Sequence, residues 1–247
     1  MVRLSVNLNK VALLRNSRRT GVPDVVRFGR IAHDAGADGL TLHPRPDERH
    51  IRRSDVFAVA ELMRPWRPGF ELNIEGYPDR RLLDLVREVR PEQCTLVPDA
   101  PEAFTSEEGW KLDAAQHRLV DQALAELKPL GIRVILFVDP DPAAVAAVHN
   151  TGADGIEIYT GGYAAAFRAG GAEVPLKACV ATAARAAELG LTVNIGHDLN
   201  LANLPPLVSA LPQAAEASIG HELTADALVI GFAAAVAAYK AALGGAG

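Results

Sequence analysis

Four titratable side chains each stand at the end of a short apolar run. His43, Glu75, Glu157 and His197 follow segments rich in Leu, Ile and Val that have the length of buried strands. The carboxyl ends of parallel strands meet at one mouth, where α/β barrels and open α/β sheets keep their functional groups. Burial raises the pKa of a carboxyl group toward neutral pH, so such a mouth can transfer protons. The sequence therefore indicates an enzyme that uses acid–base chemistry.

Two further segments favour an anionic substrate. Arg45, Arg49 and His50 lie in a proline-stiffened loop after the second predicted strand. Arginine binds phosphate through two parallel hydrogen bonds, and histidine donates from either ring nitrogen. Gly220 and His221 open the last helix, and phosphate sites after the seventh and eighth strands are frequent in barrels. We expect small phosphorylated ligands and inorganic phosphate to bind here.

A metal site is the alternative use of the four titratable residues. His43, Glu75, Glu157 and His197 could supply two nitrogen and two oxygen ligands. The chain has no HxH or HExxH spacing to support it. The sequence therefore predicts no metal at these positions.

Strand-like and helix-like segments alternate about eight times, which requires a parallel sheet. The chain has 247 residues, close to the roughly 250 of a (β/α)₈ barrel. We predict an α/β fold, a single-domain TIM barrel over residues 1–247 with extra short helices; an open doubly wound sheet is the alternative. Strands are predicted over residues 3–8, 38–42, 70–74, 93–97, 132–138, 154–158, 191–195 and 215–219. Helices are predicted over residues 24–35, 112–127, 141–149, 174–189 and 223–243. The second helix is predicted to run from a cap at Ser54 or Asp55 to Met63, and the third to have Pro78 near its first turn and residues 82–86 inside it.

One connection is too long for a simple turn. Residues 98–111 leave the fourth strand and carry prolines, acidic residues, Thr105 and Trp110. Connections longer than about 12 residues in compact domains are usually functional or disordered. We predict an active-site lid, and the alternative is a neutral insertion.

Composition limits the class of protein. The net charge of −5 argues against nonspecific binding to nucleic acid. No apolar run approaches the roughly 18 residues that a membrane span needs. Cys94 and Cys179 form no disulfide framework or metal motif, and no signal peptide is evident, so we expect a reducing cytoplasmic location.

Seven short motifs follow one another along nearly the whole chain. They cover residues 6–10 with 14–18, 35–50, 73–75, 96–98, 156–161, 196–197 and 219–221. In this order they resemble the pyridoxine 5′-phosphate synthase family. The resemblance implies a barrel that condenses 1-deoxy-D-xylulose 5-phosphate with 3-amino-2-oxopropyl phosphate. The products would be pyridoxine 5′-phosphate, phosphate and water, formed without a metal or redox cofactor by a homo-octamer.

The resemblance also implies a role for individual residues. His43 and Glu75 would accept protons, and His197 would donate one. The implied substrate-binding residues are Asn7, Asn9, Lys10, Arg18, Arg45, His50, Thr105, Glu157, Asp198, Gly220 and His221.

Three of these positions depart from the family pattern. Many members have Asp-His where this chain has Asn9 and Lys10, and glycine where it has Asp198. A carboxylate at position 198 would repel a phosphate unless it is turned away. The implied function has two alternatives. One is another phosphosugar-binding barrel enzyme, namely an isomerase or epimerase that uses Glu75 and His197. The other is a non-catalytic barrel that binds B6 vitamers.

Overall fold

Eight parallel strands close into one barrel in the computed structural model, which describes residues 1–99 and 108–244. Each strand pairs with the next along the chain, and the eighth pairs with the first. This confirms the predicted (β/α)₈ barrel, and the open-sheet alternative is wrong. The strands are β1 Arg3–Asn7, β2 Gly39–Leu42, β3 Glu71–Gly76, β4 Gln93–Leu96, β5 Arg133–Val138, β6 Gly155–Tyr159, β7 Thr192–Gly196 and β8 Ala214–Ile219.

Helices cover the outside of the barrel. Four of them begin at an aspartate whose carboxylate accepts backbone N–H groups of the first turn: Asp24, Asp79, Asp113 and Asp141. The helices of the described residues are α1 Asn9–Asn16, α2 Val25–Asp34, α3 Arg53–Met63, α4 Arg80–Val89, α5 Ala114–Leu127, α6 Pro142–Thr151, α7 Gly161–Arg168, α8 Glu173–Glu188, α9 Leu204–Ala210, α10 His221–Ile230 and α11 Phe232–Leu243. A 3₁₀ turn, Lys128–Leu130, follows α5.

The predicted start of the second helix was wrong. Helix α3 begins at Arg53, with Arg52 as its N-cap, rather than after Ser54 or Asp55. The Asp55 carboxylate accepts the Arg52 backbone N–H at 2.8 Å, so it stabilises the helix start from inside the first turn.

Four helices differ from the sequence-based expectation. The predicted terminal helix 223–243 is two helices, because Gly231 has a φ of +87° and interrupts the hydrogen-bond ladder. Helix α7 precedes the predicted helix 174–189, and α1 and α9 lie in segments where no helix was predicted. Helices as short as α1, α7 and α9 show too few turns for apolar periodicity to reveal them.

The interior of the barrel is polar, whereas the layer between strands and helices is apolar. Gln93 on β4 donates to Glu216 on β8 across the barrel at 3.1 Å, and Asn194 on β7 donates to Gln93 at 3.2 Å. Nearer the carboxyl rim, Thr95 donates to Asn73 at 3.2 Å. These groups are buried, so each hydrogen bond offsets part of the cost of removing a polar group from water.

Most of the predicted lid, including Thr105, lies outside the described residues. The described ends of the 98–111 connection are both attached to the barrel. The Asp99 carboxylate pairs with Arg45 at 2.8 Å, and the buried Trp110 indole donates to the Leu96 carbonyl oxygen at 2.8 Å. The lid itself stays a prediction. In the described ranges, every helix falls short of the length and apolarity that crossing a bilayer demands.

We predict that Gly155→Ala destabilises the barrel. A Cβ atom at position 155 would lie 2.5 Å from the Thr192 backbone oxygen on the neighbouring strand. Overpacking of this kind costs about 1–3 kcal/mol, which urea unfolding would measure. Gly162→Ala in α7 is the matched control, because nothing lies within 4 Å of the added atom. Equal unfolding midpoints for the two variants would contradict the prediction.

Candidate active site

The three residues predicted to transfer protons lie at the same rim of the barrel. His43 comes directly after β2, Glu75 is the penultimate residue of β3, and His197 comes directly after β7. Because all eight strands are parallel, these positions are at the carboxyl end of the barrel, where (β/α)₈ enzymes carry their active sites.

His43 and Glu75 form a buried pair. The His43 Nδ1 atom lies 3.8 Å from Glu75 Oε2, and both side chains are almost excluded from solvent. Two asparagines from β1 and α1 hold the pair. Asn9 Oδ1 accepts the His43 backbone N–H at 2.9 Å, and the Asn7 side-chain amide donates to Glu75 Oε2 at 3.4 Å. Asn7 Oδ1 also accepts the Asn9 N–H at 2.9 Å, which fixes the two asparagines relative to each other.

Burial shifts the pKa of each partner toward its uncharged form. Desolvation, assisted by the positive charge of Arg45, holds the pKa of His43 well below its usual value. Desolvation, followed by the negative charges of Asp99 and Glu216, raises the pKa of Glu75 to about 8. At neutral pH the pair is therefore a neutral imidazole beside a largely protonated carboxyl group. Glu75 therefore titrates in a range useful for proton transfer.

The loop after β2 supplies positive charge beside this pair. Arg45 is buried and pairs with Asp99, and burial together with the charges of Arg45 and Lys10 lowers the pKa of His50 to about 4. His50 Nδ1 accepts the Ile51 backbone N–H at 2.9 Å, so its remaining proton is on Nε2. Arg45, Lys10 and neutral His50 are donors suited to an anion.

Glu157 is a third buried acid of the mouth. Burial, followed by the charges of Glu75 and Glu216, raises its pKa well above the usual value. Its Oε2 atom has no hydrogen-bond partner within the described part of the chain. A Cβ atom on Gly196 would collide with Glu157 Oε1, so glycine on β7 makes room for this carboxyl group.

His197 and Asp198 adopt unusual backbone conformations. Their φ angles are +90° and +56°, in the region of backbone conformation that residues other than glycine rarely adopt. The Thr160 hydroxyl lies 2.6 Å from the carbonyl oxygens of Gly196 and His197, and Asn203 donates to the Asp198 carbonyl at 3.0 Å. Such strain persists only where surrounding contacts hold it, and it clusters at functional sites.

Gly220 lies where β8 ends and α10 begins. A Cβ atom there would be 3.0 Å from the Cβ of Asn7, so glycine permits the close approach of β8 to the end of β1. His221 is exposed at the first position of α10. This side of the mouth therefore presents the amino end of a helix, which favours an anion.

Arg18 is exposed and lines a cleft of about 270 Å³ with Arg15, Arg19, Gly21 and Arg52. Its role in binding substrate stays a prediction. Thr105, another predicted ligand, lies outside the described residues.

Sequence reasoning missed three charged residues that shape the site. Asp99 and Glu216 raise the pKa of Glu75, and Arg168 approaches Asp198. A signal was available for Glu216, because a glutamate in the middle of a predicted buried strand, β8, is unusual and points to a polar interior. The pairings of Asp99 and Arg168 depend on loop and helix positions that no sequence pattern reveals.

The alternative use of the site as a metal centre has no geometric support. Across residues 1–99 and 108–244, no group of three or more His, Cys, Asp or Glu residues is arranged to hold a metal ion.

The fold and the site together define a (β/α)₈ barrel with acid–base and anion-binding groups at its carboxyl rim. Solved structures share this fold at low sequence identity. Tryptophan synthase from M. tuberculosis is 14% identical, with a TM-score of 0.66 over 98% of this chain and 92% of that chain. Thiamine phosphate pyrophosphorylase from Pyrococcus furiosus is 12% identical, with a TM-score of 0.59 over 98% and 95% of the two chains. Identities this low show that these proteins share the fold, and nothing about their activities is carried over to this chain.

Sequence comparison is more specific. Residues 4–245 match the family described as pyridoxal phosphate biosynthesis protein PdxJ, and the chain belongs to this family. The pyridoxine 5′-phosphate synthase of Chelativorans sp. (strain BNC1) is 51% identical over 244 residues, which is 98% of each chain. The enzyme of the same name from Rhizobium meliloti (strain 1021) is 48% identical over 250 residues, again 98% of each chain. The family resemblance inferred from seven motifs is confirmed.

We predict that the free energy of unfolding falls less steeply with rising pH in Glu75→Gln than in the wild-type protein. The folded protein keeps the Glu75 proton up to about pH 8, whereas an unfolded chain releases it near 4.5. Between these values the folded state binds more protons, so one such group lowers stability by up to about 1.4 kcal/mol per pH unit. Urea unfolding at pH 5, 6, 7 and 8 measures this slope. Glu61→Gln, an exposed change, is the control and should keep the wild-type slope; a wild-type slope in Glu75→Gln would refute the assignment.

Proposed function

We propose that this protein condenses 1-deoxy-D-xylulose 5-phosphate with 3-amino-2-oxopropyl phosphate to pyridoxine 5′-phosphate, phosphate and water. This is the reaction of pyridoxine 5′-phosphate synthase in vitamin B6 biosynthesis. Membership of the family over almost the whole chain supports the substrates. The observation that carries the chemistry is the buried His43–Glu75 pair at 3.8 Å, with a Glu75 pKa of about 8.

Proton transfer by this pair fits a condensation that releases one phosphate and two molecules of water in total. The substrate amine attacks the ketone of the other substrate, and water leaves through an imine and an enamine. Neutral His43 accepts a proton without prior loss of its own, because its pKa is low. Glu75 releases or accepts a proton near pH 8, so it serves each direction of transfer. His197 donates a proton during ring closure and aromatisation.

The two phosphate groups would occupy opposite sides of the mouth. On one side, Arg45, His50 and Lys10 provide donors and positive charge. On the other side, Gly220 and His221 provide the amino end of α10. Asn7 lies between them, against Gly220 and beside Glu75, so it is placed to orient the substrate against the base.

Water must be kept from the imine intermediate. We include in the proposal that residues 98–111, with Thr105, form a lid over the site. Its support is the position of the described ends, since Asp99 pairs with Arg45 and Trp110 packs in the core. Exclusion of water protects an intermediate that hydrolysis would destroy.

We predict that the purified protein, treated with chelator, forms a pyridine chromophore from the two substrates. Glu75→Gln should lower the rate about 10²–10⁴-fold, because it removes one positioned acid–base group. Both substrates should still bind to the variant in calorimetric titration. An isomerase or epimerase would convert one substrate alone without a chromophore, and a carrier would bind vitamers without turnover.

Glu216→Gln is the matched control for loss of a buried carboxylate. Glu216 lies deeper in the barrel, where it bonds to Gln93, and its charge raises the pKa of Glu75. This variant should keep turnover, with the acid limb of its pH–rate profile moved to lower pH. Equal rate losses in the Glu75 and Glu216 variants would show that any buried charge change is enough, and Glu75 would lose its assigned role.

We also propose a homo-octamer in the cytoplasm. Apolar side chains exposed on α10 support assembly: Leu228 is 78% exposed, Val229 85% and Ile230 49%. The buried, unpaired thiols of Cys94 and Cys179 support a reducing compartment.

We predict that light scattering gives the mass of eight chains and that Val229→Asp lowers it. A carboxylate introduced on this apolar surface would be desolvated in an interface. Glu188→Gln on α8 is the control, because it changes an exposed residue outside this apolar surface and should leave the mass unchanged. Thr224 lies on the same helix as Val229 but is half-buried, so it is not part of the apolar surface. A monomeric wild-type chain at micromolar concentration would contradict the assembly.

A further inference from the structure

Asp198 places a carboxylate at the rim where a phosphate is proposed to bind. Its carbonyl oxygen is held by Asn203, and its backbone N–H meets no acceptor in the described ranges. That N–H is available to an anion, but the carboxylate of the same residue would oppose one. Glu222 adds a second carboxylate in the first turn of α10. The anion site therefore carries two negative groups that need compensation.

Arg168, the last residue of α7, lies between these two carboxylates. Its guanidinium is 3.9 Å from Asp198 Oδ2 through one nitrogen and 3.8 Å from Glu222 Oε1 through another. No other cation lies within 4.0 Å of either carboxylate in residues 1–99 and 108–244. One side chain thus links the loop after β7 to the start of α10.

The geometry assigns Arg168 as a positioning residue for the substrate phosphate. We infer that it draws the carboxylates of Asp198 and Glu222 toward the outer rim and offsets their charge. The Asp198 N–H and the amino end of α10 then face a phosphate without an opposing negative field. This inference rests on the proposed function, because that function puts a phosphate at positions 198, 220 and 221.

A simpler explanation of Arg168 is that the negative end of the α7 dipole favours any cation at the last residue of the helix. That reading does not account for two carboxylates from different elements converging on one guanidinium. It also predicts an effect on stability alone. The inference instead predicts an effect on phosphate binding that depends on the presence of the carboxylates.

The test compares Arg168→Ala in two backgrounds. In the wild-type background, the Kd for inorganic phosphate and the KM for one of the two phosphorylated substrates should rise about 2- to 10-fold. The change in kcat should stay within about 2-fold, since Arg168 touches no reacting atom. In the Asp198→Gly/Glu222→Gln background, where no carboxylate needs compensation, the same substitution should change neither constant.

Three controls separate this effect from a structural one. Arg168→Lys should restore most of the phosphate affinity, because it keeps the charge. Arg185→Ala removes another exposed arginine, 43% exposed against 55% for Arg168, that pairs with Glu188 on α8, and it should not change phosphate binding. The effect of Arg168→Ala should also shrink in 0.5 M salt, where exposed charges are screened.

The outcomes distinguish the inference from the proposed function. Equal losses of phosphate affinity in both backgrounds, or no loss in either, would overturn the role of Arg168 even if the pyridine product forms. The predicted background dependence would support the role even if no product forms, since phosphate titration does not require turnover. In that case the reaction, and not the positioning of the phosphate, would be wrong.

Discussion

The structure depends on removing ionisable groups from water inside a closed barrel. Glu75, Glu157 and Glu216 are buried carboxyl groups on three strands, and each has a raised pKa because desolvation disfavours its charged form. A barrel interior of Leu and Val would be easier to stabilise. The polar interior instead raises the pKa of these acids, and at Glu75 it brings the pKa to about 8, where the group can exchange protons near neutral pH.

Closure of the sheet is what turns these separate strands into one site. Asn7 ends β1 and Asn9 begins α1, and they contact Glu75 on β3 and the backbone of His43 after β2 respectively. The pairing of β8 with β1 then brings Gly220 against Asn7. The first and last strands therefore meet at the mouth, so residues from both ends of the chain share it.

The mouth has two electrostatic sides. Arg45 and Lys10 make the side near β2 positive, and burial together with these two charges keeps His50 neutral as a donor. The side near β8 relies on backbone N–H groups at the start of α10, where Asp198 and Glu222 bring negative charge. Side-chain cations bind an anion through charge, whereas backbone groups bind it only if nearby carboxylates are compensated. The two phosphate sites of the proposed reaction thus have different requirements.

The sequence by itself determined the parallel barrel, the family and the strand-end positions of His43, Glu75 and His197, because strand periodicity and local motifs are properties of neighbouring residues. It did not reveal helices α1, α7 and α9, the break at Gly231, or the contacts of Asp99 and Arg168. Only the tertiary structure decided these features. They arise from barrel closure and loop packing, which join residues far apart in the chain and set the burial that shifts each pKa.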